Sequence, residues 1–211
     1  MDGQPISKQA LQRLPVYLNY LKSLPDNDPV NISATAIAEA LHLHDVQVRK
    51  DLAIVSTGGR PKIGYVTKDL IADLQRYLGY DNVENAVVVG AGNLGRALLS
   101  YDGFGAYGLN IVAAFDCDEA LAGQTIRGKE IFSVAKLEDL CERLKIRIGI
   151  ITAPAGAAQQ LCDRLIRGGV LAIWNFAPVH LNVPEGVLVQ NENMAASLAL
   201  LSKHLSEKMC G

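Results

Sequence analysis

The 211 residues predict an α/β protein in two parts, a helical lobe followed by a parallel sheet covered on both faces. Two features carry that reading. From Ala86 onward, short aliphatic runs alternate with helical patterns, the mark of a parallel sheet. Before that, capped helical patterns follow one another and end in a glycine-rich stretch. The length suits one large domain or two small ones. With 49% hydrophobic but only 6% aromatic residues, the core must be aliphatic.

The N-terminal part, residues 1–80, opens with a helix to about residue 25. Leu14, Leu18 and Leu21 recur at helical spacing beside Tyr17. Pro15 implies a kink or a start close to it. Pro25 to Pro29 reads as a turn. Ser33 is the expected N-cap of Ala34–Leu41, and Asp45 that of Val46–Ile54. Val48, Leu52 and Val55 make the apolar stripe of that second helix, so Gln47, Arg49 and Lys50 turn away from it. Two short helices after a longer one suggest a helix-turn-helix, with the second entering a DNA major groove. Ser56–Val66 then reads as a hairpin, a wing with Arg60 and Lys62 near its tip. Between His42 and Val66 four Lys/Arg face two Asp, a local net of +2 in a chain of net −2. Any nucleic-acid surface is therefore local. Thr67 is expected to cap a last helix, Lys68–Leu78, ahead of a linker at 79–82.

The second part, residues 84–190, is organised around Val87-Val88-Val89-Gly90-Ala91-Gly92-Asn93-Leu94-Gly95. A strand, then Gly-x-Gly-x-x-Gly, then a helix is the dinucleotide-binding fingerprint of a Rossmann-like sheet. Gly90 permits the turn, Gly92 lets a pyrophosphate approach, and Gly95 lets the helix pack close to the strand. A second strand ends in Asp116, about 20 residues beyond the glycines, where a carboxylate takes the adenosine ribose and repels a 2′-phosphate. NAD(H) is thus favoured over NADP(H). Thr152-Ala153-Pro154 and Asn175-Phe176 follow later strands, where ligand crevices lie. From Asn191 to the end, a helix carries Met194, Leu198, Leu201, Leu205 and Met209 as one stripe. It packs either on its own sheet or on a partner subunit.

No apolar run reaches the roughly 18–20 residues of a membrane span, and the N-terminus lacks a signal-peptide pattern. Cys117, Cys141, Cys162 and Cys210 form no C-x-x-C pair, so free thiols in a reducing cytoplasm are expected and no metal site.

These motifs together resemble the Rex family of bacterial redox-sensing transcriptional repressors. The resemblance rests on Arg13-Leu14-Pro15, Gln47-Val48-Arg49-Lys50-Asp51-Leu52, Gly64-Tyr65 and the glycine-rich run through Leu98. Tyr101-x-Gly103-Phe104, Asn175-Phe176-Ala177-Pro178 and Asn182-Val183-Pro184 extend it over nearly the whole chain. It implies a homodimer of winged-helix and Rossmann domains with the C-terminal helix, 191–211, exchanged into the partner. It implies that NADH closes the dimer and releases operator DNA, whereas NAD+ favours the bound form. Family cofactor positions fall on Gly90, Gly92, Asn93, Leu94, Asp116, Thr152, Pro154, Asn175 and Phe176, with Tyr101 near the nicotinamide. The chain departs from the family at Ala53–Ser56, in the wing at Gly59–Lys62, and at Glu119. Where family members commonly carry an arginine and an aspartate, it has Asn19 and Asn193, which cannot form an ion pair. A Rex-like protein with a weakened redox response is therefore one alternative. Another is an NAD-dependent dehydrogenase with a helical lobe, for which His180 is the candidate acid or base. A dimerisation module without a ligand is a third, against which the intact glycines and Asp116 stand.

Overall fold

The structure is a computed structural model that describes residues 6–25 and 29–210. It divides into two compact units, 1–82 and 83–211. In the first, α1 (Lys8–Ser23), α2 (Ala34–Ala40), α3 (Asp45–Val55) and α4 (Thr67–Tyr77) surround one apolar cluster. Leu14, Leu18, Ile37, Val48, Leu52, Leu70 and Leu74 are fully buried in it. The helix starts follow from their side chains. Ser7 Oγ accepts from the Ala10 N–H at 3.1 Å, and Ser33 Oγ from the Ala36 N–H at 3.0 Å, so each closes an open first turn.

Several local expectations need correction. The first helix runs on both sides of Pro15, because its buried stripe outweighs one missing hydrogen bond. Asp45 is the first residue of α3 rather than its cap, and its carboxylate accepts from Arg49 Nη2 at 3.1 Å. Thr67 likewise begins α4; its hydroxyl donates to the Pro29 carbonyl at 2.6 Å instead of capping. The expected turn at 25–29 includes residues outside the described ones.

The hairpin across 56–66 is also smaller than expected. β1 (Asn31–Ile32) pairs antiparallel with β2 (Tyr65–Val66), so the second strand of the expected hairpin has a different partner. What remains of the wing is a tight loop in which Arg60 and Gly64 exchange two hydrogen bonds, at 2.8 and 2.9 Å. Arg60 stands at its base and Lys62 at its tip, with φ +64. Gly64 is obligatory: its φ is +86, and a Cβ there would lie 2.2 Å from the Ile32 carbonyl oxygen.

The second unit is a seven-stranded sheet in the order β5-β6-β4-β3-β7-β8-β9. The strands are β3 (Glu84–Val89), β4 (Leu109–Asp116), β5 (Thr125–Ile126), β6 (Lys129–Ser133), β7 (Ile148–Ile151), β8 (Ala172–Asn175) and β9 (Leu188–Asn191). All neighbours run parallel except β5 with β6. The helices are α5 (Asn93–Ser100), α6 (Leu137–Arg143), α7 (Ala155–Arg167) and α8 (Met194–Cys210). Along β3, Val87 and Val89 enter one apolar cluster, and Ala86 and Val88 the other. A strand buried on both faces cannot show alternation, which is why its run reads as continuously aliphatic.

Cys141 and Cys162 lie in the first of those clusters, and burial pushes both thiols up to about 11. Cys117 is exposed. A maleimide at near-neutral pH is expected to label Cys117 and spare Cys141 and Cys162, because the thiolate is the nucleophile. Peptide mapping by mass spectrometry reads the result; equal labelling would contradict a closed core.

The last strand includes Asn191, so Asn191 does not cap the final helix. That role falls to Asn193, whose Oδ1 accepts from the Ala196 N–H at 2.9 Å. Ala195 to Met209 are all exposed, and Leu198, Leu201 and Leu205 are 63, 66 and 56% exposed.

Candidate functional site

Strand order reverses direction at β3, which has β4 on one side and β7 on the other. In doubly wound sheets that switch point opens a ligand crevice at the carboxyl ends of the strands. The glycine-rich loop, 90–95, sits there. It is held from both flanks. From the β7 side, Thr152 Oγ1 donates to the Gly90 carbonyl at 2.7 Å. From the β4 side, Asp116 Oδ2 accepts from the Ala91 N–H at 2.6 Å. Gly90 has φ +105, and a Cβ on Gly95 would lie 1.9 Å from the Gly90 carbonyl oxygen. The loop and the start of α5 therefore approach as closely as backbone permits.

That approach leaves the N-terminus of α5 without a side-chain cap. Gly92 and Asn93 are exposed, so the first N–H groups of the helix face solvent. Unfilled N–H groups with a positive dipole end are suited to a pyrophosphate. Asp116 has a second backbone partner, the Asp118 N–H on Oδ1 at 2.9 Å. Each carboxylate oxygen thus keeps acceptor capacity for a hydroxyl.

The far wall is aromatic. Tyr101 is half exposed and meets Phe104 edge to face at 4.8 Å. Phe104 meets Trp174 at 5.9 Å, and Trp174 meets Phe176 at 4.8 Å. Asn175 differs from the expectation of an exposed lining residue: it is fully buried. Its Nδ2 donates to the carbonyls of Ala177 and Val179 and to Asn191 Oδ1, and its Oδ1 accepts from the Ala177 N–H. It shapes the Asn-Phe-Ala-Pro loop, in which Phe176 is half-buried and Pro178 is exposed. Ala153 is nearly buried and Pro154 exposed at the start of α7.

In the first unit an open cleft of about 530 Å³ lies between the start of α2, Arg49 and the wing loop. Arg49, Arg60 and Lys62 line it with Ser33, Thr35 and Tyr65. Tyr65 packs under Gly59, where a Cβ would lie 2.9 Å from its ring. Three cations lining one concave cleft suit a phosphodiester strand. Lys50 is exposed on α3 outside this cleft, and Gln47 is half-buried towards α1.

Residue patterns do not disclose what holds α3 in place. Asp51 is only 4% exposed and accepts from Arg13 Nε at 2.8 Å, Arg13 Nη2 at 3.0 Å and Tyr17 Oη at 2.8 Å. The bond to Asp51 raises the Arg13 pKa further, and burial followed by Asp51 pushes Tyr17 up to about 12. Both stay protonated donors at any physiological pH. Counted from sequence, Asp51 subtracts from the basic patch; in the structure Arg13 neutralises it.

A family model described as "CoA binding domain" matches residues 81–179, and one described as "Putative DNA-binding protein N-terminus" matches residues 5–53. The redox-sensing transcriptional repressor Rex of Treponema denticola is 39% identical over 199 residues, covering 94% of this chain and 95% of its own. That of Bacteroides fragilis is 37% identical over 205 residues, covering 97% and 93%. Among solved structures, RSP in complex with β-NAD+ and operator DNA superposes with a TM-score of 0.92 at 37% identity, covering 98% of this chain and 95% of that one. RSP in complex with β-NADH gives 0.88 at 37% identity, covering 98% and 97%. Relatives at this identity, matched over more than nine-tenths of both chains, show that the chain belongs to the Rex family of redox-sensing transcriptional repressors.

Proposed function

We propose that this chain is a DNA-binding transcriptional repressor that senses the NADH/NAD+ ratio, NADH releasing it from operator DNA. The observation that carries the reading is the uncapped N-terminus of α5 beside Asp116, in a chain whose other unit presents Arg49, Arg60 and Lys62 around one cleft. In this reading the backbone of Gly90, Gly92, Asn93, Leu94 and Gly95 receives the pyrophosphate, and Asp116 takes the ribose hydroxyls. Thr152, Ala153, Pro154, Phe176 and Tyr101 border the nicotinamide, with Asn175 holding the wall behind Phe176. Arg49 and Lys50 read the major groove, Gln47 assists them, and Arg60 and Lys62 contact phosphates. The cofactor is an effector, so the protein is not an enzyme and needs no acid or base. It acts in the cytoplasm as a homodimer whose subunits meet through α8, and it uses neither a metal nor a membrane.

A ligand shifts DNA affinity only by its differential affinity for the two dimer states. One observation favours a smaller shift than a charged contact would give. Asn19 and Asn193 are neutral, and the Asn193 oxygen is engaged in capping α8.

Trp174, the one tryptophan, stands on β8 with its ring 4.8 Å from that of Phe176, so its emission is expected to respond to occupancy of the crevice. NADH is expected to quench its emission saturably, and NADPH to bind at least about tenfold more weakly, because the 2′-phosphate meets a carboxylate. Asp116→Ala is expected to weaken NADH by about 1–3 kcal/mol and to narrow that preference. Tighter NADPH binding would remove the role of Asp116; no saturable cofactor binding would remove the functional reading.

A further inference from the structure

The Arg13 guanidinium joins α1 to α3. Its grip on Asp51 uses Nε and one N–H of Nη2. The outer edge of the guanidinium then meets a second side chain of α3, Gln47. With the Gln47 amide set by its donors, its oxygen accepts from Arg13 Nη1 at 2.9 Å and from Nη2 at 3.2 Å. Gln47 and Asp51 stand four residues apart on one side of the helix, so one planar fork reaches both.

What Gln47 still offers is its NH₂. It is the third residue of α3, and recognition helices present their N-terminal residues to base edges. A free glutamine pairs with adenine by donating to N7 and accepting from the N6 amine. One whose oxygen is held is a donor only. We propose that Arg13, on the first helix, is a positioning residue for operator choice: it holds the Gln47 oxygen and makes Gln47 a hydrogen-bond donor, without acceptor function, at the base edge. The inference rests on the DNA-binding reading above, but it concerns which sequence is chosen rather than whether DNA is bound.

Arg13 also supports the fold through Asp51, so the test must separate the two roles. Arg13→Lys keeps a cation beside Asp51 but loses the planar fork. Gln47→Met keeps the side-chain length, removes the amide and leaves the Arg13–Asp51 pair. The full-length protein first selects its operator from a random DNA pool. Affinities are then measured for that operator and for a scrambled duplex of the same composition. Each single variant is expected to lower the operator-over-scrambled ratio about tenfold, with NADH and scrambled-DNA binding unchanged. The double variant is expected to fall no lower than Gln47→Met alone, because Arg13 acts through Gln47. Replacing each operator adenine by purine, which lacks the N6 amine, is expected to cost wild type no more than it costs Gln47→Met. Equal losses on both duplexes, additive losses in the double variant, or an adenine whose N6 matters only while Gln47 is present would each overturn the proposal. If Arg13→Lys melts below the assay temperature, Gln47→Met decides alone, and an unchanged operator preference overturns it. A wild-type protein that selects no DNA removes the functional reading and this inference with it.

Discussion

Replacing Leu198, Leu201 and Leu205 together by glutamate is expected to turn a stable homodimer into monomers, read as a fall to the mass of one chain in sedimentation equilibrium. The three side chains form one stripe on a helix of seventeen residues, and the single chain leaves each more than half exposed. An isolated helix of that length is marginal in water, so α8 needs a surface to pack on. In the proposed homodimer a second copy supplies one. Burying each leucine is worth about 1.5–3 kcal/mol, so their loss removes on the order of 5–9 kcal/mol, a thousandfold or more in dissociation constant. Operator affinity falls with it, because two half-sites lie about 34–36 Å apart and a monomer holds only one. A triple variant that stays dimeric would place the subunit contact elsewhere. Substitution is preferable to truncation at residue 191, which would also remove Asn191 from β9 and from its bond with Asn175.

The second large effect concerns α3. Arg49→Ala with Lys50→Ala is expected to abolish operator preference while NADH binding stays at the wild-type value. Arg49 already pairs with Asp45, but both groups are well exposed. An ion pair in water is worth little, so giving up that partner for a DNA contact is expected to cost Arg49 little. Each base-edge contact contributes about 1–3 kcal/mol of discrimination. Arg60→Ala with Lys62→Ala acts differently: binding weakens evenly across sequences and its salt dependence flattens, as loss of phosphate contacts requires. Gel-shift titrations on operator and scrambled DNA at two salt concentrations distinguish the pairs. Wing variants that bind like wild type would exclude the loop at 60–64 from the interface.

Much of this was legible in residue order because the relevant physics is local or periodic. The stripe Leu14, Leu18, Leu21 is buried as its spacing demands. The glycine spacing marks the close approach of loop and helix, and Asp116 does end the neighbouring strand. What escaped is non-local. Arg13 and Asp51 are 38 residues apart, and no local pattern announces that two surface-type residues meet in a near-buried pair. Asn175 reads as a crevice residue because it ends a strand, yet four hydrogen bonds within its own loop and to Asn191 turn it inward. The wing reads as a hairpin because glycines punctuate β-branched residues. Its second strand instead found a partner in Asn31–Ile32, a two-residue strand too short to leave a periodic signal. Caps were misplaced by one or two residues at Asp45, Thr67 and Asn191, whose side chains are held by other partners, Arg49, the Pro29 carbonyl and Asn175 Nδ2.

Redox sensing by this chain requires one coupling, between a cofactor crevice and a DNA surface in separate units of the chain. Its most direct test is operator affinity of the full-length dimer at saturating NAD+ and at saturating NADH, with salt and protein concentration held fixed. NADH in place of NAD+ is expected to weaken operator binding by several-fold or more, within the range of about 5–150-fold usual for allosteric coupling. Equal affinity with the two cofactors, each shown by Trp174 emission to be bound, would contradict it.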